Sequence, residues 1–444
     1  MIRALIILGI LFWFGAKVFS RPYIGTYLWT WVSLMNPHKL TWGILNTLPL
    51  AQVIALITAI GFFTGRQKKL NIWSPQTNVL LIFILWVIFT SFFAINPSGA
   101  YFELDRFIKI QIFIFLIIAL VSDKEKLDGF IWVIVLSLGF YGVKGGIFTI
   151  LTGGGNRVFG PSGSFIGENN ALALALLMTI PLMRYLQLQT NKKLVKHGLT
   201  FAMLMTAASI LGSQSRGALL GIIAIGVFFW WKSTYKLSAT LMVGVVASLI
   251  FMFMPQSWWD RMNTIETYNQ DESANARINS WIVAFNMAND RITGGAPGMW
   301  IPKVFSQHAP NPNVVFDAHS IYFEILGEQG WIGLFLFLLL AFLTWRSCTK
   351  MIKTYKSVPE KKWAADLAAM VQVSLIGYYV SGAFLGLAYF DYYYDLIAIT
   401  IIASKLAAEQ VPLSTNSPPH SPSTQKKKYG QLISHKQSNV RSNN

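Results

Sequence analysis

Long apolar runs separated by short polar segments make up most of this chain. Runs of about 20 apolar residues match the thickness of the hydrocarbon core of a bilayer. They predict helical spans at roughly 2–20, 23–36, 44–63, 78–95, 106–121, 128–151, 170–190, 196–213, 217–231, 237–254, 319–345, 366–388 and 392–408. The second run is short, so an interfacial or re-entrant helix stays open there. The pattern predicts an all-α, polytopic transmembrane helical bundle of about 12–13 spans.

One polar interruption, residues 255–318, is far longer than the other loops between these spans. Within it, residues 273–289 have the pattern of an amphipathic helix, with Ile278, Ile282 and Phe285 on one stripe. We therefore divide the chain into five regions. These are N-terminal transmembrane helices (1–151), central transmembrane helices with a Gly-rich loop (152–254), the large loop (255–318), C-terminal transmembrane helices (319–410) and a disordered basic tail (411–444).

Composition supports a membrane protein and excludes an ordinary soluble domain. The chain is 54% hydrophobic and 12% charged, whereas soluble domains carry about 25% charged residues. The net charge of +17 is concentrated in short loops at 66–69, 192–196, 232–236 and 346–362. Basic short loops mark the cytoplasmic side of a membrane. The charge therefore predicts topology and contact with the lipid bilayer, and not nucleic-acid binding.

Alternation of the spans then assigns the remaining loops to the outer side. These are residues 37–43, 96–105, 152–169, 214–216, 255–318 and 389–391. The single cysteine, Cys348, allows no internal disulfide and no zinc site. Candidate chemistry should therefore be sought in the outer loops.

Two arginines in outer loops are candidate anion contacts. Arg157 lies in a Gly-rich loop that could present backbone N–H groups to an anion, although a flexible turn between two helices explains the loop better. Arg216 lies between two spans with almost no connecting loop. An arginine at the membrane edge is costly unless it pairs with an anion or a polar cavity; the alternative is a snorkelling anchor. A phosphate or diphosphate is the anion that a guanidinium binds in bidentate fashion.

The large loop supplies two further candidates. Arg277 is near the start of the predicted helix 273–289, where a cation is electrostatically unfavourable unless a ligand requires it; a surface-lying helix is the alternative. His319 follows Asp317 and opens the next span, so its imidazole should stay neutral and able to act as a general base. An interfacial hydrogen-bonding histidine remains the alternative. Glu324 and Glu328 follow on the same segment and could orient His319 or line the site.

Neither a carboxylate pair of the glycosidase type nor a Ser-His-Asp order nor a DxD metal motif stands out. We therefore expect chemistry that needs no metal and no cofactor.

The ordered set of motifs in residues 150–345 resembles the O-antigen ligase/polymerase superfamily of bacterial envelope glycosyltransferases. The matching pieces are Glu168-Asn169-Asn170-Ala171-Leu172-Ala173 with Pro181, Ser215-Arg216-Gly217, Arg277 with Trp281, Ala318-His319-Ser320-Ile321-Tyr322, and Glu328-Gln329-Gly330-Trp331-Ile332-Gly333. The N-terminal Arg21-Pro22-Tyr23-Ile24-Gly25 and the segment 35–43 look like the exosortase-A-associated O-glycosylation ligases. Ser320 departs from the pattern, because many relatives carry Asn there.

The resemblance implies transfer of a preassembled glycan from an undecaprenyl-diphosphate carrier to a hydroxyl of a protein or lipid acceptor. His319 and Arg216 would be catalytic, as base and as cation for the leaving diphosphate. Arg277, Arg157 and Asn170 would bind substrate. The protein would lie in the bacterial inner membrane with its active site facing the periplasm. A polymerase of lipid-linked glycan repeats and a polysaccharide or lipid transporter stay open as alternatives.

Overall fold

The structure is a computed structural model that describes residues 2–41, 43, 46, 48–65, 67–232, 237, 240, 244, 254–263 and 272–409. Within these residues the chain is helical and contains no strand. The helices are α1 (Ile2–Val18), α2 (Tyr23–Met35), α3 (Leu50–Thr64), α4 (Pro75–Ser91), α5 (Pro97–Leu120), α6 (Lys124–Leu151), α7 (Asn169–Gln189), α8 (Lys193–Gly212), α9 (Arg216–Lys232), α10 (Gln256–Asn263), α11 (Glu272–Asp290), α12 (Pro302–His308), α13 (Ile321–Tyr355), α14 (Lys362–Gly382) and α15 (Asp391–Glu409). The predicted all-α class is confirmed.

Within the part of the chain that the structure describes, five helical segments are long and apolar enough to cross a membrane. They are Lys124–Leu151, Asn169–Gln189, Lys193–Gly212, Ile321–Tyr355 and Pro359–Gly382, and α3, α4 and Arg216–Trp231 are shorter apolar helices. The finer prediction of 12–13 spans stays a prediction. The proposed span 237–254 lies largely outside the described residues, and the tail 411–444 lies wholly outside them.

Glycines allow the closest helix packing in the transmembrane region. On α6, a Cβ at Gly146 would lie 2.0 Å from the backbone oxygen of Met205 on α8, and one at Gly142 would lie 2.2 Å from the hydroxyl of Thr206. Small residues on one helix face let two backbones approach in this way. Nearby, α7 and α15 are buried on almost all sides. These two helices form the centre of the bundle.

Three helix boundaries differ from the prediction, and each difference shapes the site. α5 begins at Pro97, nine residues before the predicted span, because the side chain of Asn96 caps it by accepting from the N–H of Gly99. α13 is not continuous: Gly330 has φ 65° and breaks it. α14 ends at Gly382, so residues 383–390 form a loop where the prediction continued a helix to 388.

The loop ends fall into two groups that agree with the predicted topology. Among segments predicted to be cytoplasmic, Lys68 forms an ion pair with Glu409 at 2.8 Å, and Lys405 donates to the carbonyl of Trp73 at 2.8 Å. Segments predicted to lie outside meet one another around two adjoining cavities. The grouping supports alternation of the spans; which side faces the periplasm stays a prediction.

Candidate functional site

Four of the five predicted site residues lie around two cavities that share Leu385. The smaller cavity, here called the arginine pocket, has a volume of about 20 Å³ and is lined by Asn170, Ser215, Arg216, Gly217, Arg277, Phe384 and Leu385. The larger, here called the carboxylate chamber, has a volume of about 360 Å³. It is lined by Glu103, Arg106, Ser164, Phe165, Glu168, Ala171, Gly298, Trp300, Asp317, Ala318, His319, Glu324, Glu328, Leu385, Gly386, Leu387 and Tyr389.

A tight turn between α8 and α9 places Arg216 in the arginine pocket. The hydroxyl of Ser215 accepts from the N–H of Ala218 at 3.2 Å, which caps α9 and makes Arg216 its first residue. The turn is attached to α7, because the amide of Asn169 donates to the carbonyl of Ser213 at 2.8 Å. Asn170 in the first turn of α7 is thereby held beside Arg216 in the same pocket.

Arg277 reaches the arginine pocket from α11, which is tied to the segment before His319. Ser280 donates to the carbonyl of Phe316 at 2.8 Å, and the indole of Trp281 donates to the carbonyl of Ala318 at 2.8 Å. Because α11 begins at Glu272, Arg277 lies in its second turn and not at its start. The unfavourable helix terminus invoked from the sequence is therefore not the reason for its position.

The apolar stripe predicted on this helix does not face the protein. Ile278, Ile282 and Phe285 are exposed, whereas Val283 and Met287 on the opposite face are fully buried. The buried pair packs in a small cluster with Met299, Val304 and Phe305. The predicted helix is confirmed, and its buried face carries Ala and Ser beside Val283 and Met287, because small side chains permit a close approach to the rest of the protein.

His319 has the geometry of an oriented, neutral imidazole. Its Nδ1 lies against the carboxylate of Asp317, and its backbone N–H donates to the same oxygen at 3.2 Å. Its ring stacks on Phe316 with the centroids 4.5 Å apart. The contact at Nδ1 leaves Nε2 as the nitrogen that can accept a proton.

Burial, followed by the positive charge of Arg277, lowers the pKa of His319 from 6.5 to about 4. His319 is therefore neutral at pH 7, as the sequence predicted, although burial and a cation cause this and not a helix terminus. Its backbone has φ 41°, a left-handed conformation that costs a non-glycine residue about 1–3 kcal/mol and is common at functional sites.

Two protein-family models match parts of this chain. Residues 201–338 match the O-Antigen ligase family, and residues 2–191 match a family of unknown function, DUF5935. The match to residues 201–338 supports an O-antigen ligase domain in this chain. No curated protein matches it significantly. This O-antigen ligase-like protein is accordingly a membrane protein of the type that transfers glycans, and the exosortase-associated subgroup stays a prediction.

Arg157 is the one predicted site residue of this O-antigen ligase-like protein that lies apart from the others. Its side chain is exposed, and its Nε donates to the side-chain oxygen of Gln214 at 3.4 Å. It lines a different cavity, together with Lys144 and Phe148. Its role in substrate binding stays a prediction that this geometry does not support.

Sequence reasoning missed several groups of the carboxylate chamber. Glu103 and Arg106 were assigned to a loop and to the edge of a span, but they lie on the early turns of α5. The Asn96-Pro97 pair, a helix-start signal, could have revealed them. The loop after α14 was also missed, and its Leu385 borders both cavities.

Glu328 is held in the chamber by the Gly-rich turn before α12. Its Oε1 accepts from the indole of Trp300 at 2.9 Å and from the N–H of Gly298 at 3.4 Å. The turn rests on the break in α13, since the N–H of Gly295 donates to the carbonyl of Gly327 at 2.9 Å. The Gly-rich turn therefore positions one wall of the site. Within the described residues no group of side chains is suited to hold a metal ion.

Proposed function

We propose that this protein transfers a preassembled glycan from an undecaprenyl-diphosphate carrier to a hydroxyl of a protein or lipid acceptor at the periplasmic face of the inner membrane. The observation that carries the proposal is the convergence of Arg216, Arg277 and Asn170 in one pocket beside the chamber that holds His319. The O-antigen ligase match supports the class of reaction.

The chemistry requires a base on one side of the reacting carbon and cations on the other. His319 Nε2 takes the proton of the acceptor hydroxyl as the oxygen forms a bond to the anomeric carbon. The bond from that carbon to the carrier's diphosphate breaks, and the diphosphate leaves with the electron pair. Arg216 and Arg277 stabilise the negative charge that develops on it, because guanidinium groups bind phosphate oxygens in bidentate fashion.

The same chemistry serves a polymerase, in which the acceptor hydroxyl belongs to a second carrier-linked glycan. The geometry of the two cavities is compatible with either acceptor, so the product decides between them. A transporter would use charges within the spans. Lys109 and Lys144 lie within predicted spans and are candidates for that role; Lys109 is paired with Asp105 at 2.5 Å and Lys144 is exposed. The O-antigen ligase match favours an enzyme.

A transfer assay with purified protein in nanodiscs tests the proposal. It uses an undecaprenyl-diphosphate-linked glycan as donor and a host envelope extract as acceptor. We expect His319→Ala and Arg216→Ala each to lower transfer by about 10²–10⁴-fold. Lys303→Ala removes an exposed cation on α12, outside both cavities, and should retain wild-type activity.

The products distinguish the alternatives. Glycan on an acceptor with release of undecaprenyl diphosphate supports ligation, whereas longer carrier-linked chains identify a polymerase. Absence of transfer by wild-type protein in a reaction proven to contain both substrates would refute the proposal. Equal losses in Lys303→Ala would show that the effects are not specific to the site.

A further inference from the structure

Carboxyl groups from four parts of the chain surround the approach to His319. The chamber receives them from α5, from the residue before α7, from the residue beside His319 and from the first part of α13: Glu103, Glu168, Asp317, Glu324 and Glu328. One guanidinium, that of Arg106, also lines the chamber, and its Cζ lies 3.3 Å from the centroid of the Phe165 ring. Carboxyl groups therefore outnumber guanidinium groups on this side of the site.

Glu328 has a buried acceptor atom that the protein does not use. The residue is only 4% exposed, and its Oε1 accepts from Trp300 and Gly298. Its Oε2 meets the distance and angle criteria of a hydrogen bond with no group among the described residues, and the neighbouring hydroxyl of Tyr389 interacts with the carboxyl group. A buried polar atom left without a partner is costly. A ligand in the chamber that donates a hydrogen bond would remove this cost.

The two cavities differ sharply in charge. Among the described residues, Arg216 and Arg277 line the arginine pocket without a carboxyl side chain beside them in its lining, and Leu385 lies at the border with the carboxylate chamber. His319 lines the chamber and not the pocket. A hydroxyl that approaches Nε2 of His319 from the chamber must therefore pass the carboxyl groups.

From this arrangement we propose that the carboxylate chamber is the acceptor site, and that it prefers acceptors that are neutral or cationic around the reacting hydroxyl over acceptors that carry phosphate or carboxylate there. Carboxylates accept hydrogen bonds from hydroxyl and ammonium groups and repel anions. Trp300 and Phe165 supply apolar faces beside these acceptors, which suits a hydroxyl-rich ring. The proposal rests on the proposed function, since it assigns the two cavities to donor and acceptor.

Glu328 binds the acceptor sugar directly in this scheme. Glu328→Gln keeps an oxygen to accept from Trp300, but it replaces the open acceptor by an NH₂ donor. Ligand hydroxyls would lose their partner while the contact to the Gly-rich turn persists. We expect weaker binding of a neutral sugar with an unchanged melting temperature, and a rise in KM for the acceptor that exceeds the fall in kcat.

Binding of three short glycosides to the full chain in nanodiscs tests the proposal. Butyl glucoside, butyl glucosaminide and butyl glucuronide share a ring and differ in charge, and quenching of tryptophan fluorescence, with Trp300 in the chamber, reports binding. We expect the glucuronide to bind at least tenfold more weakly than the neutral and cationic probes. Glu103→Gln and Glu168→Gln should each reduce the difference in affinity between the glucuronide and the other two probes. Glu272→Gln, which removes an exposed carboxylate of α11 outside the chamber, should leave the difference unchanged.

The proposal is overturned if the glucuronide binds as tightly as the glucoside, if no probe binds at millimolar concentration, or if Glu272→Gln narrows the difference as much as the chamber variants do. These outcomes are independent of the proposed function, which the transfer assay measures. Transfer that depends on His319 without charge discrimination would refute only the acceptor assignment. Charge-selective binding without any transfer would refute only the glycosyltransferase.

Discussion

Replacing Arg277 by Gln should raise the pKa of His319. Burial and the charge of Arg277 together lower that pKa from 6.5 to about 4, and burial is the larger cause. Removing the guanidinium charge therefore restores less than half of the difference, about one pH unit. Gln retains most of the side-chain volume and a polar end, so the burial of His319 should change little.

The acid limb of kcat/KM against pH measures this pKa, because kcat/KM reports groups of the free enzyme. We expect a wild-type limb near pH 4 and an Arg277→Gln limb about one unit higher, on top of a lower maximal rate. The pH dependence of His319 modification by diethylpyrocarbonate, corrected with His319→Ala, gives the same pKa without catalysis. A limb in the variant that stays at the wild-type position, or moves to lower pH, refutes the electrostatic coupling.

The same pKa predicts how stability depends on pH. Because the folded-state pKa lies below the unfolded value, the unfolded chain binds more protons between pH 6.5 and about 4. The contribution of neutral, buried His319 to the free energy of unfolding is fully present above pH 6.5. It is lost as pH falls through this window, and the loss is up to about 3 kcal/mol. His319→Ala should lose less stability than wild type between these pH values in thermal unfolding. If wild type and His319→Ala lost the same stability between pH 6.5 and about 4, His319 would not be a buried neutral imidazole in the folded protein.

Two further pairs of substitutions test the geometry. Gly330→Ala should destabilise the protein by about 2–4 kcal/mol, because its Cβ would lie 2.3 Å from the backbone oxygen of Ile292 at φ 65°. Gly226→Ala, with no atom within 4 Å of the new Cβ, should be neutral or stabilising by up to about 1 kcal/mol, and thermal unfolding compares the two. Asn170→Ala should raise the donor KM in the transfer assay about tenfold. Arg157→Ala, outside the arginine pocket, should leave the donor KM close to wild type. Equal increases of the donor KM in the two variants would show that the arginine pocket does not define the donor site.

Apolar runs predicted most helices, since hydropathy alone identifies a segment that must avoid water. The errors occurred where a helix carries charge or where a loop is apolar. α5 was started too late because Glu103, Asp105 and Arg106 interrupt its hydropathy, although all three are helical. α14 was extended too far because Phe384 and the residues after it are apolar but form a loop. Local composition does not distinguish a buried loop from a helix end.

The site was predictable only in part for a similar reason. His319, Arg216 and Arg277 stand out because polar groups beside apolar spans need an explanation. Their grouping with Asn170 and the separation of Arg157 depend on how α7, α9 and α11 pack, which no single segment encodes. The break at Gly330 was also invisible, since a lone glycine in an apolar run is compatible with a continuous helix.

The separation of opposite charges across Leu385 gives the two cavities their distinct chemistry. In this protein the carboxyl groups line the chamber and Arg216 and Arg277 line the neighbouring pocket. His319 belongs to the chamber, yet the charge of Arg277 still lowers its pKa. The imidazole of His319 is therefore influenced by the groups of both cavities. In the proposed mechanism it takes a proton from the acceptor in the chamber, while negative charge develops on the donor diphosphate beside the arginines.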